Sequence, residues 1–292
     1  MKVDVVIPVY NQRRSLILTL EGFRKQIGNN SIHIIVVDDG SNEKSVDILN
    51  KFEDLNITYV YQNNGGRSNA RNTAMKYAEN DLVIFNDADR IPGPYFVEKH
   101  VQRIKENNTI CIGRIKEVYF TNIEEHYQEI LDTVQEDGRL AREPGHSKNV
   151  DHIFDKSGKC ISVLPWVSTY SGNMSMRREV FEKNGGFDEN FKGWGFEHFE
   201  FGYRLYKAKI EFVREREAIN YHLAHNRREN FYRDSIISSH EYFYKKFPSR
   251  EVELLRKYML GDLSLQEYER IVGGEVKWAN TAEKELFIKL KG

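Results

Sequence analysis

Four short apolar segments alternate with amphipathic stretches over the first 90 residues, and this alternation limits the possible folds more than any other feature. The apolar segments are rich in β-branched residues: VDVVIPVY (3–10), IHIIVVDD (32–39), ITYVYQ (57–62) and DLVIFNDAD (81–89). Helix-forming stretches separate them at 14–27, 43–53 and 68–78. Strands that alternate with helices at this spacing predict an α/β fold with a mainly parallel sheet and helices on both faces.

Polar residues follow each of the four predicted strands. They occupy positions 8–11, 38–41, 63–67 and 86–89. Ligands of open parallel sheets bind beyond the carboxyl ends of the strands. The sequence therefore predicts a binding site built from these four loops.

The remainder of the chain has a weaker pattern. Residues 124–134 predict a helix, and the polar stretch 136–150, which contains Gly and Pro, predicts an exposed or mobile loop. After Leu164 we expect a strand and a short helix that lead into GWGFEHFEFGYRL (193–205). A strand pair is expected at 210–222, and mainly helices over 230–292.

Composition excludes some classes of function. The 292 residues are 40% hydrophobic and 30% charged, which is typical of a globular protein with a sizeable core. A formal net charge of -1 gives no reason to expect a nucleic-acid partner. There is no signal-peptide pattern and no apolar run of about 18 residues, so we expect a cytoplasmic protein without an integral membrane segment. Cys111 and Cys160 are too distant in sequence for a zinc motif and are expected to be reduced thiols.

Asp87 and Asp89 are two carboxylates at the end of an apolar strand, separated by one small residue. Their mutual repulsion is relieved when a divalent cation binds. His222 follows the last predicted strand, and one imidazole added to two carboxylates gives a site suited to Mn²⁺ or Mg²⁺. The alternative is that Asp-x-Asp is a chance surface pattern. For His225 we expect an ordinary loop histidine.

Several common motifs are absent. The chain has no Walker A sequence, no Gly-x-Gly-x-x-Gly after a strand and no Gly-x-Ser-x-Gly elbow. Nucleotide hydrolysis by a P-loop, simple dinucleotide binding and α/β-hydrolase chemistry therefore lose support.

Residues 1–90 resemble the nucleotide-sugar-binding half of family 2 glycosyltransferases with the GT-A fold. The matching segments are VVIPVYNQ, IIVVDDGSNE, NNGGRSNARNTAM and LVIFNDAD. Residues 172–225 resemble the acceptor half of bacterial chondroitin-type polymerases and galactosyltransferases, through GNMSMRREVFEKNGGFDENFKGWGFEHFEFGYRL and AINYH. The resemblance implies a GT-A domain over 1–225, divided into a nucleotide-sugar half (1–115) and an acceptor half (116–225). A helical C-terminal extension would occupy 226–292.

The resemblance also implies a role for individual residues. Those expected to contact the nucleotide are Pro8, Tyr10, Asp38 or Asp39, Arg71 and Asp87. Those expected to hold the Mn²⁺ or Mg²⁺ ion are Asp87, Asp89 and His222. Those expected to hold the acceptor sugar, as the motif Trp-Gly-x-Glu, are Trp194, Gly195 and Glu197. The cation would stabilise the diphosphate leaving group of a UDP-sugar.

His198 departs from the pattern of the inverting relatives, which have an aspartate general base at this position. Histidine is the commonest general base in enzymes, so we expect His198 to take the proton of the acceptor hydroxyl. Glu197 is the alternative base. The expected activity is metal-dependent, inverting sugar transfer; a retaining transferase and a non-catalytic sugar-nucleotide-binding subunit remain alternatives. The sugar, the oligomeric state and the acceptor (glycan, lipid-linked sugar, peptide or small molecule) stay open.

Overall fold

One eight-stranded sheet organises the computed structural model, which describes residues 1–104, 108–136, 138–193, 195–225 and 231–275. The strands are β1 (Lys2–Val9), β2 (Ser31–Asp38), β3 (Asn56–Tyr61), β4 (Leu82–Asn86), β5 (Arg90–Pro92), β6 (Thr109–Val118), β7 (Asn173–Arg177) and β8 (Glu211–Leu223). Their order in the sheet is β3-β2-β1-β4-β7-β6-β8-β5.

Strand direction changes once the sheet passes β4. Strands β3, β2, β1 and β4 are parallel, whereas β7 is antiparallel to both β4 and β6. Strand β8 is parallel to β6, and the short β5 pairs antiparallel with β8 at the edge. The predicted α/β fold with a mainly parallel sheet is confirmed, and the antiparallel strand β7 places the C-terminal half beside the first.

Ten α-helices surround the sheet in the described part of the chain. They are α1 (Arg13–Arg24), α2 (Arg67–Met75), α3 (Phe96–Arg103), α4 (Tyr127–Gln135), α5 (Gly145–Asp151), α6 (Arg178–Lys183), α7 (Glu197–Lys207), α8 (Phe231–Lys246), α9 (Arg250–Met259) and α10 (Leu265–Ile271). Two 3₁₀ helices cover Val46–Phe52 and Pro165–Ser168. None of the described helices is long and apolar enough to cross a membrane.

Strand β1 shows why the first strands are almost entirely apolar. Successive side chains of a strand point to opposite faces of the sheet. Val5 and Ile7 pack with Leu16 of α1 on one face, and Val6 packs with Ala70 of α2 on the other. Because helices cover both faces, an unbroken apolar run is required rather than an alternating one.

The predicted strand pair at 210–222 is wrong, because these residues form the single strand β8. A run of four charged residues, 214–217, lies within this strand. It is taken up by an irregularity in the pairing of β8 with β6, where Gly113 faces Glu215 and Arg114 faces Ile219. Three residues of β8 therefore bulge out while the strand continues.

The prediction of an exposed loop at 136–150 is also wrong for the second half of this stretch. Helix α5 begins at Gly145 and buries Ser147 and Val150. The buried Arg214 donates from Nε to Asp151 Oδ1 at 2.8 Å, and Arg114 holds the preceding Glu143 by two hydrogen bonds. These charges pair with the sheet rather than with water, so a polar sequence here does not indicate exposure.

The C-terminal helices α8–α10 pack against the acceptor half. Phe243 of α8 lies between Trp166 and Tyr203, with ring centroids 6.0 and 5.8 Å away. Lys246 at the end of α8 pairs with Asp188 at 2.5 Å and with Glu200 of α7 at 2.8 Å. The division of the chain near residue 225 stays a prediction, and residues 276–292 of the expected helical extension lie outside the described residues.

Replacing Asp188 with asparagine should change the acid sensitivity of the protein. Burial raises the pKa of Asp188, but hydrogen bonds from Lys246, the Asn190 amide and Tyr242 outweigh it and lower this pKa to about 2 from 3.8. A lowered pKa means that the carboxylate stabilises the fold above pH 3.8, and that this contribution is lost as pH falls through 2. We expect D188N to be about 1 kcal/mol less stable at pH 7, allowing for partial solvation.

The measurement is urea unfolding of wild type and D188N from pH 7 to pH 2. The difference in free energy of unfolding should shrink toward zero at the acid end. K246M serves as the matched variant, because it removes the partner and should show the same trend. A difference that stays constant over this range would contradict the assignment.

Candidate functional site

The nucleotide residues predicted from β1 and β2 lie where these strands end. Pro8 is buried inside β1, opposite Val37 of β2, and Tyr10 directly after the strand is 48% exposed. Tyr10 is therefore the one of the two that offers a ring to a ligand at this edge of the sheet.

Asp38 and Asp39 both use their carboxylates to shape loops of the chain. Asp38 accepts hydrogen bonds from the amides of Ser41 and Ser45 and from the Tyr59 hydroxyl, at 2.8–3.1 Å. Asp39 accepts from the amides of Gly65 and Gly66 at 2.8 Å and from the side chain of Gln62 at 2.7 Å. The two aspartates thus fix the loops that border the predicted nucleotide pocket.

Asp87 is held between two arginines. Arg71 Nη2 donates to Asp87 Oδ1 at 2.8 Å, and Arg90 Nε donates to Oδ2 at 3.1 Å. Burial alone would raise the pKa of Asp87, but the Arg71 and Arg90 charges outweigh it and hold this pKa well below its usual range. The carboxylate is therefore an anion whose charge is already neutralised by the two arginines.

Asp89, His222 and His225 form a cluster that can hold a metal ion. One ligand atom from each residue lies within 4.8 Å of the others; Asp89 Oδ2 is 3.8 Å from His222 Nε2 and 3.9 Å from His225 Nδ1. The pairing of Arg90 with His222 in β5 and β8 brings the two segments together. Metal–ligand bonds of about 2.0–2.2 Å span such separations, so one oxygen and two imidazole nitrogens fit a divalent cation. Sequence reasoning assigned His222 to this site but not His225.

Two residues that the sequence did not single out support the cluster. Gln12 Nε2 donates to Asp89 Oδ2 at 2.6 Å. Glu117 on β6 lies opposite His222, with its Oε1 3.3 Å from His222 Nδ1. Burial raises the pKa of Glu117, but hydrogen bonds from His222 and Tyr119 outweigh it and lower this pKa to about 2. An anion on Nδ1 leaves the Nε2 lone pair of His222 for a metal.

Glu197 begins α7 and is buried against Arg71. Arg71 Nη1 donates to Glu197 Oε1 at 3.1 Å, so one buried guanidinium bridges Glu197 and Asp87. Burial alone would raise the pKa of Glu197, but neighbouring His198 and the Arg71 and Arg67 charges hold it well below its usual range. Glu197 is therefore a firmly ionised carboxylate.

The turn before α7 sets the position of Glu197. Gly195 and Phe196 both have left-handed backbone conformations, with φ of 75° and 70°. Glycine adopts this conformation without steric cost, and the Phe196 ring is fully buried. Trp194, the first residue of the predicted acceptor motif, lies outside the described residues.

His198 lies in a row of rings along one side of the site. Its Nδ1 is 3.7 Å from Glu197 Oε1, and its ring centroid is 6.3 Å from that of Tyr170. Tyr170 in turn contacts His146 of α5 at 5.4 Å between centroids. Burial lowers the pKa of His146 to about 4, so this imidazole is neutral at pH 7. His146 was missed because its segment was interpreted as a loop.

Comparison with protein families gives two matches. The family model for glycosyl transferase family 2 matches residues 4–185. The model for the N-terminal domain of galactosyltransferase matches residues 152–226. These are the two halves in which the sequence resemblance was seen, and the comparison confirms it.

The chondroitin synthase of Escherichia coli is 28% identical over 242 residues, covering 78% of this chain and 35% of the relative. The chain spans 22% to 65% of the length of four curated relatives that it matches.

Solved structures share the fold. The structure of S. aureus TarS 1-349 in complex with UDP-GlcNAc has a TM-score of 0.62 at 20% identity, covering 88% of this chain and 73% of the TarS 1-349 chain. GalNAc-T7 with UDP, GalNAc and Mn²⁺ has a TM-score of 0.59 at 15% identity, covering 86% of this chain and 51% of GalNAc-T7. The GT-A fold expected from the sequence is confirmed by these likenesses.

The family 2 match spans well over half of the chain and includes β1 to β4 with the loops that border the site. The chain belongs to glycosyl transferase family 2.

Proposed function

We propose that this glycosyltransferase moves a sugar from a UDP-sugar to an acceptor hydroxyl with inversion, using a divalent cation held by Asp89, His222 and His225. The observation that carries the proposal is the Arg71 bridge. It ties Glu197, the neighbour of His198, to Asp87, which is two residues from Asp89 in the chain. Similarity to a chondroitin synthase and to a TarS structure holding UDP-GlcNAc supports the UDP-sugar donor. The acceptor class remains open between glycan, peptide and small molecule.

The donor set of the cluster supports a metal of the Mn²⁺ or Mg²⁺ type, and a related structure contains Mn²⁺. When bound, the cation stabilises the negative charge that develops on the leaving diphosphate. Asp89, oriented by Gln12, and His222, oriented by Glu117, would be its ligands together with His225. Asp87 would fix the neighbouring Arg71 and Arg90 instead of ligating the metal.

His198 is the better candidate for the base. A general base must accept a proton, and the buried ion pair with Arg71 disfavours protonation of Glu197. A carboxylate near one ring nitrogen orients an imidazole and stabilises its cation, and Glu197 Oε1 lies 3.7 Å from His198 Nδ1. His198 Nε2 would then take the proton of the attacking hydroxyl, while Glu197 acts as an orienting group.

Removing one proposed metal ligand should weaken Mn²⁺ binding directly. We expect H225A, and E117Q through the orientation of His222, each to raise the Kd for Mn²⁺ in the presence of UDP about tenfold. Isothermal titration or electron paramagnetic resonance of free Mn²⁺ gives this Kd without an acceptor. H126A is the control, because His126 lies directly before α4 and outside the cluster and should leave the Kd unchanged. An unchanged Kd in H225A would remove His225 from the site.

The stereochemistry of slow donor hydrolysis should reveal inversion. Purified protein is incubated with a panel of UDP-sugars and Mn²⁺, and proton NMR identifies which sugar is released and which anomer forms first. Water stands in for the acceptor, so the acceptor need not be known. An α-linked donor should release the β anomer. Release of the α anomer would instead support the retaining alternative, and release of no sugar from any donor would favour a non-catalytic binding role.

Loss of the base should slow hydrolysis without weakening donor binding. We expect H198A to lower the hydrolysis rate about 100-fold. The Kd for UDP with Mn²⁺ should stay at the wild-type value, because His198 is not in the metal cluster. E197Q should destabilise the fold, because it leaves buried Arg71 with one anionic partner. An H198A rate equal to that of wild type would exclude His198 as the base.

A further inference from the structure

Four fully buried polar side chains form a continuous line of hydrogen bonds beneath the site. They come from α3, the start of β7, the end of β8 and the end of β4: His100, Asn173, Asn220 and Asn86, each 0% exposed. His100 Nε2 lies 3.0 Å from Asn173 Oδ1, Asn173 Nδ2 lies 3.0 Å from Asn220 Oδ1, and Asn220 Nδ2 lies 2.8 Å from Asn86 Oδ1. We call this line the amide chain.

The amide chain has one direction. Each asparagine accepts at its oxygen from the previous residue and donates from its nitrogen to the next. His100 begins the line as an Nε2 donor, because the amide oxygen of Asn173 can only accept. Its Nδ1 then accepts from the Ser175 hydroxyl at 2.8 Å. Burial lowers the pKa of His100 to about 4, which agrees with a neutral ring that donates from one nitrogen only. Hydrogen bonds aligned in this way polarise and strengthen one another.

The amide chain ends on the loop that carries the proposed metal ligand Asp89. Asn86 Nδ2 donates to the backbone carbonyls of Asp87 and Arg90, at 2.9 and 2.8 Å, and so closes the turn around Asp89. Asn220 also lies two residues before His222 on β8 and donates to the Gly172 carbonyl at 2.7 Å. One side chain therefore ties together the two segments that provide Asp89 and His222.

The surroundings leave little room for this geometry to shift. A Cβ added to Gly113 would lie 1.9 Å from Asn173 Oδ1, and one added to Gly172 would lie 2.2 Å from Asp87 Oδ2. Burying four polar side chains has a desolvation cost that apolar side chains would avoid. When buried polar side chains are all hydrogen-bonded to one another, they fix one arrangement of the elements that carry them. Here the amide chain fixes how β4 approaches β8.

We propose that Asn220 is a positioning residue, which acts through the amide chain to hold Asp89 and His222 at the separation that binds a divalent cation with a nucleoside diphosphate. The inference rests on the proposed metal site. It assigns a role to a residue that touches neither metal nor sugar. It also predicts that His100, at the far end of the chain, influences the same binding step through Asn173 and Asn220.

The test is Mn²⁺ binding in the presence of UDP, measured together with thermal stability. N220A removes the central link, and we expect its Kd for Mn²⁺ to rise about tenfold. H100F keeps a ring in place but removes the first donor, and we expect a smaller rise of about threefold. The double variant N220A/H100F should match N220A, because the effect of His100 passes through Asn220.

L255A is the control for stability. Leu255 is fully buried in α9, so the substitution lowers Tm without touching the amide chain, and its Kd for Mn²⁺ should equal that of wild type. If N220A and H100F lower Tm but keep the wild-type Kd, the role of the amide chain is structural and the inference is overturned. If wild type itself binds no Mn²⁺ with UDP, the proposed metal site fails first. Should N220A not fold, H100F alone decides between these outcomes.

Discussion

The buried guanidinium of Arg71 connects the two halves of the site. It donates to Asp87 at the end of β4 and to Glu197 at the start of α7, residues that are 110 positions apart (197 minus 87). A buried charge of this kind is tolerated only with ionised partners, and loss of either partner leaves it uncompensated. Both carboxylates are therefore ion-paired with Arg71. This pairing is the reason why the proposed function assigns proton transfer to His198 and metal ligation to Asp89.

The change of strand direction at β7 explains how distant residues meet at one edge. In a wholly parallel sheet the second half would continue outward, away from β1. Here β7 runs antiparallel beside β4, and β8 ends next to the loop after β4, where β5 pairs with it. The cluster of Asp89, His222 and His225 thus combines residues of both halves.

The sequence predicted the parts that depend on local pattern. Apolar runs placed β1 to β4, and both the pattern of polar residues after the strands and the resemblance pointed to Asp89 and His222. They did not lead to Glu117, Gln12 or His146, because each acts through a contact set by strand register or by the packing of α5. The ion pairs of Asp87 with Arg71 and Arg90 could not be predicted either, because a motif shows that a carboxylate is present but not which cation neutralises it.

The turn before α7 has a consequence for how this helix is anchored. No side chain caps its first turn, and Phe196 occupies the cap position in a conformation that costs a non-glycine residue roughly 1 kcal/mol. Burial of the ring offsets that cost. Replacing Phe196 with glycine would remove the backbone cost but leave a cavity where the ring packs. Replacing it with another large apolar residue would fill that space but keep the backbone cost. The placement of the proposed base therefore depends on how the buried Phe196 ring packs against its aromatic neighbours.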